Sequence, residues 1–349
     1  MRGDSLLLMS ELLANHTSLR VGGPAKKFIC ASSEHELIEA IKAADSAGDE
    51  VLIIGGGSNV LISDAGFNGT VIQVETKGNT FAIDACSGAM ISVASGENWD
   101  EFVAFMIEKG FAGLESMSGI PGSVGAAPIQ NIGAYGHEIS EVIARVRTWD
   151  RKAGAYKTFS NLECEFTYRS SIFKKNPGRY VIIDVTFQLR NGEMSMPIKY
   201  KELANYLGVE LESRVSISEV RNAVLALRAA KGMLLDSKDH DTWSAGSFFV
   251  NPILSAEAAA KLPQDAPRWG QSDGRVKTSA AWLMENAGVR RGQIHNGAGV
   301  SSKHVLALVN NGQATASDIA ELARSARKMV KEKFGIELEP EVQFIGITL

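Results

Sequence analysis

The stretch Val51-Leu52-Ile53-Ile54-Gly55-Gly56-Gly57-Ser58-Asn59 decides how this chain is read. Four apolar residues predict a short strand. The three glycines after it let the backbone turn tightly and bring its N–H groups close to an anion, with Ser58 and Asn59 as further donors. A phosphate suits that geometry. The dinucleotide fingerprint G-x-G-x-x-G fails, because Val60 occupies the place of its third glycine and Leu61-Ile62 continue as strand instead of opening a helix. No Gly-Lys-Ser/Thr of a P-loop is present. By itself the run is equally a plain glycine-rich turn.

Working outward, Ser33 and Glu36 have capping-box spacing and Leu37, Ile38, Ile41 and Ala44 recur at helical spacing up to Gly48, which predicts an amphipathic helix. Apolar or β-branched runs near 71–74, 80–86 and 90–95 predict strands, followed by a helix from about Asn98 to Lys109. Val142 to Trp149 and Tyr180 to Leu189 alternate as half-buried strands do, and Asn191-Gly192 then interrupts the pattern. Beyond it, helices are expected from about Ser218 to Lys231 and through Ala280, Ala281, Leu283 and Met284 to a stop at Gly288. A strand over Val305–Val309, a long helix over Asp318–Phe334 and a last strand over Val342–Leu349 complete an α+β pattern without strict βαβ alternation.

The chain has 349 residues, 45% of them hydrophobic and 22% charged, which is enough for two or three domains with their own cores. A net charge of -4 without a basic run disfavours nucleic acid as a partner. Cys30, Cys86 and Cys164 are too few and too scattered for a disulfide framework and read as reduced thiols. The apolar patch Leu6-Leu7-Leu8-Met9 is too short for a signal peptide, and no stretch reaches the about 18 to 20 apolar residues that span a bilayer. A cytoplasmic protein with no membrane partner is expected. His16, His35, His137, His240, His295 and His304 lack ligand spacing, so no bound metal is expected.

The segment Gly119-Ile120-Pro121-Gly122-Ser123-Val124-Gly125-Ala126-Ala127-Pro128-Ile129-Gln130-Asn131-Ile132-Gly133-Ala134-Tyr135-Gly136 changes the reading of the first turn. A planar cofactor with a diphosphate needs close backbone approach along much of its length, which small residues permit. Tight backbone-on-backbone packing is the structural alternative. These two stretches, with Tyr168-Arg169-Ser170-Ser171, Ala245-Gly246-Ser247-Phe248-Phe249-Val250-Asn251-Pro252, Glu339-Pro340-Glu341-Val342 and Asn15-His16-Thr17-Ser18-Leu19-Arg20-Val21-Gly22-Gly23, occur in an order that resembles the UDP-N-acetylenolpyruvoylglucosamine reductases of peptidoglycan synthesis. Lys199-Tyr200-Lys201 is similar to the tyrosine-loop (type I) branch of that family.

The resemblance implies an FAD-binding domain of the vanillyl-alcohol-oxidase type over residues 1–191, with subdomains of about 1–76 and 77–191. A smaller α+β domain for the UDP-sugar over 192–336 and a C-terminal strand over 337–349 returning to the FAD site complete it. It implies that NADPH reduces FAD and that hydride then passes to the enolpyruvyl double bond, in a monomer acting on small molecules. By the same resemblance FAD is held by Gly55, Gly56, Gly57, Ser58, Asn59, Ser118, Gly119, Ile120, Pro121, Gly122, Gly125, Ala126, Asn131, Gly133, Ala134, Tyr135, Gly136 and Arg169.

Arg169, Ser247 and Glu341 are the implied catalytic residues. A guanidinium fork suits the substrate carboxylate, into which charge delocalises after hydride addition; a serine hydroxyl can protonate C2 only when already positioned over it; and Glu341 stabilises the enolate-like species or relays a proton. Tyr168, Tyr200, Lys231, Asn251 and His304 are the implied substrate contacts. The segment Gly232–Ser244 departs from the family by its length, which leaves the placement of Lys231 open; its Asp236, Asp239, His240 and Asp241 read as a solvated loop. Two alternatives use the same cofactor domain or none of its chemistry: an FAD-dependent alcohol or aldonolactone oxidase, and a redox-inactive nucleotide-sugar-binding protein.

Overall fold

A computed structural model describes residues 11–84 and 88–349. The Leu6–Met9 patch, Cys86 and the end of the 80–86 run lie outside the described residues. The chain divides into two compact units.

The first takes in Glu11, Leu12, Pro24–Gly57 and Phe67–Ala229. Its opening layer is a parallel sheet in the order Ala25–Ala31, Phe67–Val74, Val51–Ile54. The helix Glu34–Ala47 crosses between the outer strands and buries Leu37, Ile38, Ile41 and Ala44, the stripe its spacing predicts. Ser33 caps it by accepting from the Glu36 N–H, and Gly48 ends it at φ +67. The strand Ala25–Ala31 was not anticipated: its Lys26-Lys27 pair breaks the apolar pattern that would have announced it.

A second, antiparallel sheet runs Ala155–Ser160, Ile143–Asp150, Tyr180–Asn191, Gly88–Ala94, Asn79–Asp84. The helix Trp99–Glu108 lays Trp99, Phe102, Val103 and Met106 into its core, where the Phe102 and Phe187 rings lie 5.2 Å apart. The Trp99 indole N–H donates to the Met117 carbonyl at 3.0 Å, tying this helix to the start of the second glycine-rich segment. The helices Lys201–Leu207 and Ile217–Ala230 bury Leu203, Ala204, Val220, Ala223 and Val224 around Tyr135 and Ile198.

The second unit comprises Leu13–Gly23, Ser58–Gly66 and Ala230–Leu349. Its antiparallel sheet has the order Ser244–Ser247, Ala307–Asn310, Ala298–Val300, Ile294–His295. The helices Ala280–Ala287 and Ala316–Phe334 share its core, in which Phe248, Phe249, Leu283, Met284 and Ile319 are buried. The expected strand over Val305–Val309 starts later, at Ala307, because residues 304–307 turn: the Leu306 N–H donates to His304 Nδ1 and the Ala307 N–H to the His304 carbonyl. The last strand is shorter than expected, Gln343–Ile345, and Gly346 at φ +66 ends it. It pairs in parallel with Val60–Ile62, which is therefore a strand as read from Leu61-Ile62. This pairing is why residues on either side of Val60 pack with the C-terminal unit, so the packing units are cut at other places than the domains expected at 191 and 336.

The long helix begins at Ala316, behind the capping box of Thr315 and Asp318. Asp64 adds a second cap: its carboxylate accepts from the Ala316 N–H at 2.7 Å and the Ser317 N–H at 2.9 Å. Asp64→Ala leaves both donors unmet beside a helix N-terminus and should cost about 1–2 kcal/mol, read as a lower denaturation midpoint with an unchanged slope.

Candidate active site

In the first unit the two glycine-rich segments lie directly against each other. A Cβ on Gly55 would stand 2.1 Å from Ser123 Oγ, one on Gly56 3.0 Å from Gly122 Cα, and one on Gly125 2.3 Å from the Ser95 Cβ. Gly56 leaves room for the Gly122 backbone, Gly55 for the Ser123 side chain and Gly125 for Ser95; the first two contacts join the two segments into a single cradle. Gly57, Gly119 and Gly122 have φ of +58°, +72° and +118°, where only glycine is unstrained. The Gly56 and Gly57 N–H groups donate to no acceptor among the described residues, and Gly57 is buried. Two adjacent backbone donors without a protein partner, at the end of a strand, form an anion-binding concavity that fits a cofactor diphosphate.

The far end of the cradle is held from beneath. Gly119 donates its N–H to Asp100 at 2.5 Å, and its carbonyl accepts from Arg228 Nε at 3.2 Å. Asp100 is gripped at both oxygens by Arg221, at 2.6 and 2.9 Å. Burial would raise the Asp100 pKa, but Arg221 and the Gly119 N–H outweigh it and hold the carboxyl below its ordinary range. Burial draws the Arg228 guanidinium below its ordinary value, with Tyr135 and Asp100 opposing. None of Asp100, Arg221 and Arg228 was singled out from sequence. The one available signal was Arg221 and Arg228 at seven-residue spacing, two turns apart on one helix face.

Asn131 is fully buried, and its side chain is committed to protein: Nδ2 donates to Glu138 Oε2 at 2.7 Å and the Thr167 carbonyl at 3.1 Å, while Oδ1 accepts from the Ser140 N–H at 3.1 Å. Gly133 packs where a Cβ would stand 2.6 Å from the His137 carbonyl. Tyr135 and Gly136 follow at φ +48° and +88°, a left-handed pair. Burial pushes the Tyr135 phenol up to about 12, and its ring meets that of exposed Tyr200 edge-on at 5.7 Å.

Tyr168 and Arg169 form the tip of a tight loop closed by reciprocal backbone bonds between Thr167 and Ser170, both 3.0 Å. Arg169 sits at φ +53°, a conformation costing a non-glycine residue about 1 kcal/mol or more. Its guanidinium lies over the Tyr168 ring at 5.2 Å and donates to the Gly133 carbonyl at 2.8 Å, so the implied carboxylate ligand is anchored on the cradle itself.

In the second unit, Ser247 ends its strand opposite Ala307, after Gly246 at φ +70°. Its neighbours Phe248 and Phe249 are buried. The Phe248 N–H donates to the Leu306 carbonyl and its carbonyl accepts the Glu341 N–H, both at 2.8 Å, while Phe249 bridges Pro340. The Asn59 side chain donates to the Glu341 carbonyl at 3.1 Å and its carbonyl accepts the Gln343 N–H at 3.0 Å. Ser247, Glu341 and the last residue of the glycine turn are thus joined through backbone bonds.

Asn251 accepts the Ala280 N–H at 2.9 Å, and its Nδ2 donates to no group among the described residues. The Leu306 bond to His304 Nδ1 assigns the ring proton to Nε2. Lys231 directly follows the helix Ile217–Ala230. In the long 232–244 loop Asp241 accepts from the Ser302 N–H and hydroxyl at 2.9 and 2.8 Å, and Asp239 pairs with Lys303 at 3.0 Å. These acids therefore brace the segment before His304. No metal-binding group of His, Cys, Asp and Glu occurs among the described residues.

Residues 25–160 match the family described as FAD binding domain, and residues 238–345 match UDP-N-acetylenolpyruvoylglucosamine reductase, C-terminal domain. Cradle and fold together define an α+β flavoprotein that binds FAD through its N-terminal half. Over 340 residues the chain is 50% identical to the UDP-N-acetylenolpyruvoylglucosamine reductase of Cutibacterium acnes, spanning 97% of this chain and 90% of that protein. The reductase of Thermobifida fusca is 47% identical over 97% of both. The crystal structure of UDP-N-acetylenolpyruvylglucosamine reductase from Thermus caldophilus superposes with a TM-score of 0.67 at 25% identity, covering 97% of this chain and 98% of that one. The chain belongs to the UDP-N-acetylenolpyruvoylglucosamine reductase family.

Proposed function

We propose that this protein is the NADPH-dependent oxidoreductase that converts the enolpyruvyl group of UDP-N-acetylglucosamine enolpyruvate to the lactyl ether of UDP-N-acetylmuramate. The observation that carries the reading is the backbone joining of Ser247, Glu341 and Asn59, since an acid, a carboxyl group and the cofactor turn must converge for this chemistry. FAD, held by the two glycine-rich segments, would supply the transfer of hydride from NADPH to C3 of the enolpyruvyl group.

The residues of this chain supply the rest. Unpartnered N–H groups of Gly56 and Gly57 receive the diphosphate. Arg169 takes the substrate carboxylate and offsets the charge that develops there when C3 gains hydride. Ser247 donates a proton to C2, and Glu341 stabilises or relays. Tyr200, Lys231, Asn251 through its Nδ2, and His304 through Nε2–H suit a uridine diphosphate, with Tyr168 beside Arg169. Functionally we assign 1–191 to FAD, 192–336 to the UDP-sugar and 337–349 to the return of Glu341. We further propose that the enzyme works as a monomer in the cytoplasm; among the described residues no helix is long and apolar enough to cross a membrane.

The purified protein should be yellow; NADPH should bleach its flavin once in the absence of the enolpyruvyl sugar, and continued NADPH turnover should require that sugar. Turnover of an alcohol or lactone without that sugar would make it an oxidase, and a colourless folded protein would leave only a binding role. Light scattering of the pure protein tests the monomer.

A further inference from the structure

His137 follows the left-handed pair Tyr135-Gly136 and is 4% exposed. Its Nδ1 lies 2.8 Å from Glu141 Oε2, and its Nε2 lies 2.9 Å from the Pro197 carbonyl. Both partners are acceptors without a hydrogen to give. A neutral imidazole has one N–H and one lone pair, so it would press a lone pair against one of them; only the imidazolium satisfies both.

Both partners hold firm positions of their own. Around Pro197, the Met196 N–H donates to Glu115 at 2.6 Å and the Ile198 N–H to the Ser213 carbonyl at 2.9 Å. The segment that leads to Tyr200 is thereby fixed. Glu141 accepts also from the Glu138 N–H and lies 3.6 Å from Lys199 Nζ. Gly136 packs so closely on Lys199 that a Cβ there would stand 2.8 Å from the Lys199 Cβ.

We propose that His137, in its doubly protonated form, is a positioning residue that locks the Tyr135-Gly136 turn of the cofactor segment onto the Pro197–Tyr200 segment, and so sets the Tyr135–Tyr200 contact for the UDP-sugar. The inference rests on the function proposed above. Glu141 and Lys199 are the charged groups facing the ring. Burial favours the neutral ring and so does Lys199, but the bonds to Glu141 and to the Pro197 carbonyl and the Glu141 charge outweigh them and hold the pKa above the ordinary histidine value. A raised pKa means that the lock is complete at low pH and is lost as pH rises through that value.

The test combines imidazole NMR of the folded holoenzyme with steady-state kinetics from about pH 6 to about pH 9, a range that brackets a raised histidine pKa. His137 should titrate above ordinary histidines, and the KM for the enolpyruvyl sugar should rise about 3- to 10-fold through the same pH, while the rate at which NADPH bleaches the flavin stays unaffected by this titration. His137→Gln should hold KM at the high plateau at all pH values. Glu141→Gln, which keeps the shape but removes the charge, should move the inflection to lower pH. An imidazole that titrates at or below the ordinary value, or a KM profile of His137→Gln coincident with the wild type, overturns the proposal. Failure of the function itself is separate: it appears as NADPH oxidation indifferent to the sugar, and the NMR titration still decides whether the imidazolium lock exists.

Discussion

Ser247→Ala should leave a yellow protein whose flavin is bleached by NADPH at the wild-type rate but which forms product at least about 10²-fold more slowly, within the range general acids contribute. The hydroxyl is a weak acid, so its value lies in placement. That placement is rigid: the strand Ser244–Ser247 is paired with Ala307–Asn310, and the next residue, Phe248, is buried and bonded to Leu306 on one side and Glu341 on the other. Removing Oγ changes none of these backbone bonds. Thermal stability should therefore match the wild type, and the loss should fall on kcat with little change in KM for the sugar. Equal loss of the NADPH half-reaction, measured by stopped-flow bleaching, would falsify the role given to Ser247.

Gly125→Ala should yield protein that folds poorly and is purified without flavin. Its added methyl would stand 2.3 Å from the Ser95 Cβ, 3.0 Å from the Ser95 Cα and 3.1 Å from the Ser95 carbonyl oxygen, which the Gly125 N–H already bonds at 2.8 Å. The obstacle is mostly backbone, so a rotamer change cannot relieve it. Overpacking of this kind costs about 1–3 kcal/mol, and the displacement propagates to Gly122, which packs on Gly56. Gly270→Ala is the control, since its Cβ would meet nothing within 4 Å. The ratio of flavin to protein absorbance after purification and the thermal midpoint should fall together in Gly125→Ala and stay unchanged in Gly270→Ala. Wild-type flavin content in Gly125→Ala would mean that Gly125 and Ser95 can separate without cost to the cradle.

Most elements with a strong period were legible. The helix Glu34–Ala47 has its cap, apolar stripe and terminal glycine in one short stretch, as does Ala316–Phe334. Elements without a local signal were not. Ala25–Ala31 carries two lysines and is a strand because Phe67–Val74 lies beside it. Residues 305–306 look like strand but turn, because His304 captures the Leu306 N–H. In the site, the glycine runs and the Tyr-Arg, Gly-Ser-Phe-Phe and Pro-Glu-Val motifs could be picked out because each is a contiguous string. Asp100, Arg221 and Arg228 are single charges whose meaning depends on what lies against them.

That a strand ends in three glycines, that a second small-residue segment exists, and which family order the motifs follow are all readable in the residue string, since backbone freedom and residue chemistry are local properties. The fold was needed to see that Gly55, Gly56 and Gly125 are small because another segment presses on them, that the Asn131 side chain bonds protein partners, and that the Glu341 backbone reaches both Asn59 and Phe248. Contacts between residues far apart in the chain follow from how sheets and helices close on one another, and no window of sequence contains both sides of such a contact.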